Sequence, residues 1–267
     1  MLKYTTAFLL LLVSFSTSNA QENIQQTPTG AFFSLYSDHN ETNYQVSVTL
    51  PRGYEKGDKN YPCLYLFYGD IHKVQAASGM ANAMSLSGQI PSMIVVGVAN
   101  MQWGRDLTPI PVKGRSESGG ADAFHAFITQ DLFKVIDDRY RTSDRRIFMG
   151  HSFGGLFGIH CFMKNPDDFD DYLLLSPSIA QRADYLESAF KEKIQNTKGL
   201  KNQFYYSVGS ESTRVMRGAL WLYEGLGRAS HEEIRWHFEL VEGTNHGSVV
   251  PISFMHGLQF IFEEWEK

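Results

Sequence analysis

From residue 44 onward, apolar positions follow two rhythms. Tyr44 to Leu50 (YQVSVTL) alternates and stops at Pro51, the pattern of a half-buried strand. Later runs are short, rich in β-branched and aromatic residues, and nearly continuous: Cys63 to Tyr68, Met93 to Val98, Arg146 to Met149, Tyr172 to Leu175, Phe204 to Val208 and Ile234 to Val241. Runs of that kind suit strands covered on both faces, as in a parallel sheet. Between them the spacing changes to three and four, most clearly in Ala121 to Asp138, where Phe124, Phe127, Ile128, Leu132, Val135 and Ile136 share a face. Phe153 to Lys164, Thr213 to Leu226 and Ile252 to Trp265 follow the same helical rhythm. Strands alternating with helices predict an α/β fold, a mostly parallel central sheet with helices on both faces. In such a sheet, ligands bind outside the carboxyl ends of the strands.

Before residue 44 the pattern is different. Lys3 precedes the apolar stretch Ala7 to Val13, and Ser18-Asn19-Ala20 forms a small-x-small site ahead of Gln21. That order is the anatomy of a secretory signal peptide, and the stretch is far short of the roughly 20 apolar residues that cross a bilayer. Residues 1–20 are therefore expected to direct export to the periplasm or the cell exterior. Residues 21–34 are expected to be a flexible N-terminal extension, and residues 35–267 a single domain, since no repeat, Pro-rich linker or charge block interrupts them.

Composition narrows the function classes. The chain has 267 residues, with 24 Lys+Arg against 29 Asp+Glu and a formal net charge of −5, so a nucleic-acid partner has no basic footprint to bind. The two cysteines, Cys63 and Cys161, lie inside apolar runs, where a small buried hydrophobe is the commoner role than a disulfide. No H-E-x-x-H is present, and His231 and His237 lack zinc-ligand spacing, so neither a metal nor another cofactor is called for.

The chemistry concentrates at Gly150-His151-Ser152-Phe153-Gly154, a G-x-S-x-G pentapeptide. By chance this pattern occurs about 0.2 times in a chain of this composition, so its surroundings decide its meaning. Here a strand-like run (RIFM) enters it and a helical run (GLFGIHCF) leaves it. A sharp strand-turn-helix lifts the serine hydroxyl above the sheet and aims helix N–H groups at a developing oxyanion. A serine at its ordinary pKa needs an adjacent base. His125 and His160 fall in helical patterns, His151 is the variable position of the pentapeptide and His256 lies in the last helix. His246 alone follows a strand end, in the loop Glu242 to Gly247. The orienting acid should lie between the serine and the histidine, beyond a strand end. Glu211, in Gly209-Ser210-Glu211-Ser212, fits best; Asp184, Glu242 and a dyad without an acid stay open.

Residues 119 to 178, from GGADAFHAF to LLLSPS, resemble the putative-esterase family of α/β-hydrolases, which includes enterochelin, feruloyl and acetyl xylan esterases, esterase D and mycolyltransferases. Tyr65 to Asp70 (YLFYGD) is similar to the family's strand and oxyanion loop, Arg105 to Pro109 (RDLTP) to its R-x-L-T-P-type segment, and EGTNHGSVVPISFMHGLQFIF to its histidine loop and last helix. The resemblance implies Ser152 as nucleophile, His246 as base and Glu211 as acid. It implies the main-chain N–H groups of Phe153 and a residue near Asp70 as oxyanion donors, and Arg105 as a substrate contact, with a salt bridge to Asp106 as the other reading of that arginine. The implied partner is a small-molecule or carbohydrate-linked ester, of siderophore or aryl/acetyl type. Acyl transfer on the same triad and a non-catalytic binding role are the alternatives.

Overall fold

The computed structural model describes residues 25–27, 30–112, 114, 116–179, 183–227 and 234–265. The export segment expected at residues 1–20 lies outside them. Among the described residues one sheet has the order β1-β2-β3-β5-β4-β6-β7-β8-β9. Its strands are β1 (Gln25–Thr27), β2 (Gly30–Ser37), β3 (Thr42–Thr49), β4 (Tyr61–Phe67), β5 (Ile94–Val98), β6 (Thr142–His151), β7 (Asp171–Leu175), β8 (Gln203–Gly209) and β9 (Arg235–Val241). β1, β2, β3 and β5 pair antiparallel in that order, whereas β5, β4, β6, β7, β8 and β9 are all parallel.

The expected boundary between extension and domain is corrected. β2 starts at Gly30 and pairs along its whole length with β3, and Ala31 and Phe33 are buried in the core. The alternation of Ala31, Phe33 and Leu35 buries one face of the strand, which makes residues 30–34 part of the domain.

Strand residues alternate between two apolar layers. In β4, Cys63, Tyr65 and Phe67 join the aromatic layer, while Leu64 and Leu66 join the other. Packed on the aromatic layer is a continuous helical run of α3 (Ala121–Ala126), a π-helical segment (Phe127–Leu132) and α4 (Phe133–Arg139). α5 (Phe153–Lys164), α6 (Ala183–Asn196) and α7 (Thr213–Gly227) cover the same face. α1 (Ile71–Leu86) and α8 (Val249–Ile261) cover the opposite face, and a short α2 (Trp103–Asp106) lies in the connection after β5. Cys63 and Cys161 are both buried free thiols, and burial pushes the Cys63 thiol up to about 12. No described helix is long and apolar enough to cross a membrane.

This topology fixes where a site can form. β4 is followed in the chain by β5 on one side and lies beside β6 on the other, so the connections diverge between β4 and β6. That divergence opens a crevice at the carboxyl ends of those two strands. Phe67, the last residue of β4, pairs with Gly150, which places the loop Tyr68-Gly69-Asp70 against the G-x-S-x-G turn.

Candidate active site

β6 ends at His151 and α5 begins at Phe153, leaving Ser152 as a one-residue turn with φ 58° and ψ −115°. A non-glycine residue in that region is strained, and its surroundings must hold it there. Ser152 N–H donates to Leu175 O at 3.0 Å, and Ser178 N–H donates to Ser152 O at 3.0 Å. The flanking glycines are explained by contact. A Cβ on Gly150 would overlap Gly154 O, and one on Gly154 would overlap Phe67 O, so only glycine lets α5 start this close to the end of β4.

His246 lies beyond β9 in a loop ordered from within. Asn245 Oδ1 accepts from the N–H groups of Gly247 and Ser248 at 3.0 Å each, and Ser248 Oγ accepts from Asn245 N at 2.9 Å. Ser152 Oγ lies 2.9 Å from His246 Nε2, and His246 Nδ1 lies 2.7 Å from Glu211 Oε2. A carboxylate only accepts, so Nδ1 carries the proton and Nε2 faces the serine as an acceptor. The Glu211 side chain is 6% exposed and the His246 side chain 44%, so the acid is shielded while the imidazole is open to a ligand. The second oxygen of Glu211 accepts from Ser176 Oγ and, at 3.2 Å, from Gly209 N. Asp184 is the second residue of α6 and Glu242 sits exposed in the turn after β9; no hydrogen bond joins the Glu242 carboxylate to His246 among the described residues.

Several members of this cluster were not singled out by sequence reasoning. Ser176 and Ser178 follow the carboxyl end of β7. Ser176 is fully buried at φ 47°, with Oγ 2.9 Å from His246 Nδ1, and Ser178 Oγ lies 3.1 Å from Ser152 Oγ. Their position beyond a strand end was the available signal. His151 Nε2 lies 2.7 Å from the main-chain oxygen of His246, and burial pushes this imidazole down to about 4.

Two cavities meet at Ser152. One, of about 160 Å³, is walled by Phe67, Tyr68, Gly69, Trp103, Leu107 and Phe153, with Lys73 at its edge. The Lys73 ammonium lies 5.4 Å from the Tyr68 ring centroid and 5.6 Å from that of Trp103. The other, of about 310 Å³, is lined by Pro177, Ser178, Arg214 and Val215. A larger cavity, about 480 Å³, lies at the opposite ends of the strands, where its Arg145 and Arg235 are paired with Asp171 and Glu263; it holds none of this chemistry.

Asp70, expected near the oxyanion, is the N-cap of α1. Its side chain accepts from His72 N and Lys73 N, and the Lys73 N–H, then the Lys73 charge, hold its carboxyl below the usual range. Tyr68 and Gly69 of the same loop line the smaller cavity. Of the two readings of Arg105, the structure shows the salt bridge to Asp106 and not the substrate contact. The Arg105 guanidinium lies 2.6 Å from Asp106 and 3.1 Å from Tyr44 OH, and it lines neither cavity at Ser152. Asp106 is fully buried, and a buried carboxylate needs a paired cation. Arg105 therefore braces the segment that carries Trp103 and Leu107 into the cavity wall.

Fold and site together place this chain among the α/β-hydrolases. The family model described as "Putative esterase" matches residues 37–246, and the chain belongs to that family, in its enterochelin-esterase type; it is a carboxylic ester hydrolase. It is similar to the ferri-bacillibactin esterase BesA of Bacillus subtilis, at 26% identity over 85% of this chain and 87% of that protein. It is also similar to the siderophore triacetylfusarinine C esterase of Aspergillus fumigatus, at 26% identity over 89% and 94%. Among solved structures, an IroE-like serine hydrolase from Shewanella oneidensis shares the fold with a TM-score of 0.81, at 23% identity over 88% of this chain and 80% of that one.

Proposed function

We propose that this chain is an exported serine esterase that cleaves siderophore esters through Ser152, His246 and Glu211. One observation carries the reading: an unbroken hydrogen-bonded series from Glu211 Oε2 through His246 to Ser152 Oγ, at 2.7 and 2.9 Å. His246 Nε2 takes the Ser152 proton as Oγ attacks the ester carbonyl. The tetrahedral oxyanion is held by the main-chain N–H of Phe153, first residue of α5, and by one from the loop Tyr68-Gly69-Asp70 after β4. His246, now an imidazolium steadied by Glu211, protonates the leaving alcohol. Water repeats the sequence on the acyl-enzyme.

The substrate class is supported by relatives aligned along most of the chain whose names specify siderophore esters, and by Lys73 and Arg214, cations on either side of Ser152. These local charges suit an anionic ligand despite the net charge of −5. Export rests on residues 1–20, and a siderophore ester is a solute such a protein would meet outside the cytosol.

The test is turnover of a ferric trilactone siderophore, a feruloyl ester, acetylated xylan and p-nitrophenyl acetate by the wild type and Ser152→Ala. The siderophore ester is expected to be cleaved with the highest kcat/KM, and Ser152→Ala to lose kcat by a factor on the order of 10⁴ to 10⁶ while staying folded. Wild-type turnover by the variant sinks the mechanism; preference for xylan or feruloyl esters moves the substrate class. A wild type inert on every ester points to a binding protein.

A further inference from the structure

We infer that His151 is a positioning residue that keeps the His246 loop in register with Ser152, an inference that rests on the serine-esterase reading above. His151 is joined by a peptide bond to Ser152, and its ring reaches across to a loop 95 residues away, with Nε2 2.7 Å from His246 O. A carbonyl oxygen only accepts, so Nε2 carries the proton. The two imidazole rings lie 4.6 Å apart by centroids, tilted by 43°. On its other flank the ring meets Tyr68 edge-on, at 5.6 Å and 86°, in the loop after β4. One side chain thus touches the elbow, the oxyanion loop and the histidine loop.

The other ties of the His246 loop run elsewhere. Ser210 N donates to Thr244 O at 2.8 Å and Gly243 N to Ser210 Oγ at 3.2 Å, which fastens the loop to the end of β8, not to β6. The bonds of Asn245 are internal to the loop. Shape within the loop is therefore set locally, while its placement against the serine is set by His151 on the main chain together with the bonds of the His246 ring to Glu211, Ser176 and Ser152. Proton transfer is steep in that placement: an error of about 1 Å costs on the order of 10² in rate.

Two imidazoles in contact also raise the question of which takes the proton. Burial, against the opposing effect of its hydrogen bond to His246 O, pushes the His151 imidazole down to about 4. The proton leaving Ser152 goes to His246 Nε2, the imidazole nitrogen 2.9 Å from Oγ.

The test compares His151→Gln, whose amide N–H can replace the donor, with His151→Met, which keeps bulk and loses it, on p-nitrophenyl acetate. His151→Met is expected to lose about 10- to 100-fold in kcat with KM within about threefold, while His151→Gln stays within about threefold of wild-type kcat. Equal losses in the two variants, full activity in His151→Met, or a loss confined to KM overturns the assignment. If His151→Met gives no cooperative melt, His151→Asn, whose amide stops short of the carbonyl, takes its place in the same comparison. An active wild type with unseparated variants overturns this inference alone; an inactive wild type overturns the esterase reading and this inference with it.

Discussion

Glu211 uses both carboxylate oxygens. One accepts from His246 Nδ1, and the other from Ser176 Oγ and Gly209 N, so the acid is fixed from two sides before the imidazole arrives. This arrangement separates it from Glu242, which is nearer His246 in sequence but exposed in a turn. Glu211→Gln is expected to lower kcat on p-nitrophenyl acetate by about 10² to 10⁴, because an amide can present its N–H to Nδ1 and favour the wrong tautomer. Glu242→Gln is expected to stay within about twofold. Steady-state kinetics of the two variants decides the acid, and the reverse ranking would move it to Glu242. Ser152, His246 and Glu211 were legible in the sequence because each follows a strand-like run in hydrolase order. Ser176 was not, since its partners lie 35 and 70 residues away. For Arg105 the sequence left open a substrate contact and a salt bridge to Asp106; the bridge is what forms, and the burial of Asp106 and the partner Tyr44, 61 residues distant, become visible only when the chain is folded.

Among the elements, β4 to β8 were readable because a strand covered on both faces leaves an apolar run, and β3 by its alternation, whereas β9 was read as such a run and is a part-exposed edge strand. α5 matched its sequence pattern end to end, and α3 through α4 run on as one helical stretch, with a π-helical segment that a spacing of three and four cannot reveal. α1 escaped notice. Its buried positions include Ala77, Ser78 and Ala81, small residues that pack closely on the sheet yet give little hydrophobic periodicity. β2 escaped because its alternation starts at Gly30, inside a stretch whose polar beginning suggested an extension. The elbow depends on element packing as much as on the serine: α5 can begin beside the end of β4 because Gly154 carries no side chain.

At the scale of the whole molecule, the sheet order brings loops from the carboxyl ends of β4 through β9 to one crevice, and two buried histidines link folding to pH. Burial lowers His151 and His160 from the ordinary value near 6.5 to about 4. Between those values the unfolded chain binds protons that the folded chain refuses, so stability is full above about pH 6.5 and falls as pH drops toward 4. From about pH 7.5 to about pH 5 each histidine is expected to remove about 2 kcal/mol from the unfolding free energy. Urea denaturation at the two pH values checks this, and a flat profile would mean that these imidazoles are solvated. The central claim, that Ser152 is the activated nucleophile of an ester hydrolase, is tested most directly by intact-mass analysis after treatment with a serine-directed fluorophosphonate. One adduct per chain, mapped to Ser152 and absent from Ser152→Ala, is the expected result. No adduct, or one that persists in Ser152→Ala, would contradict it.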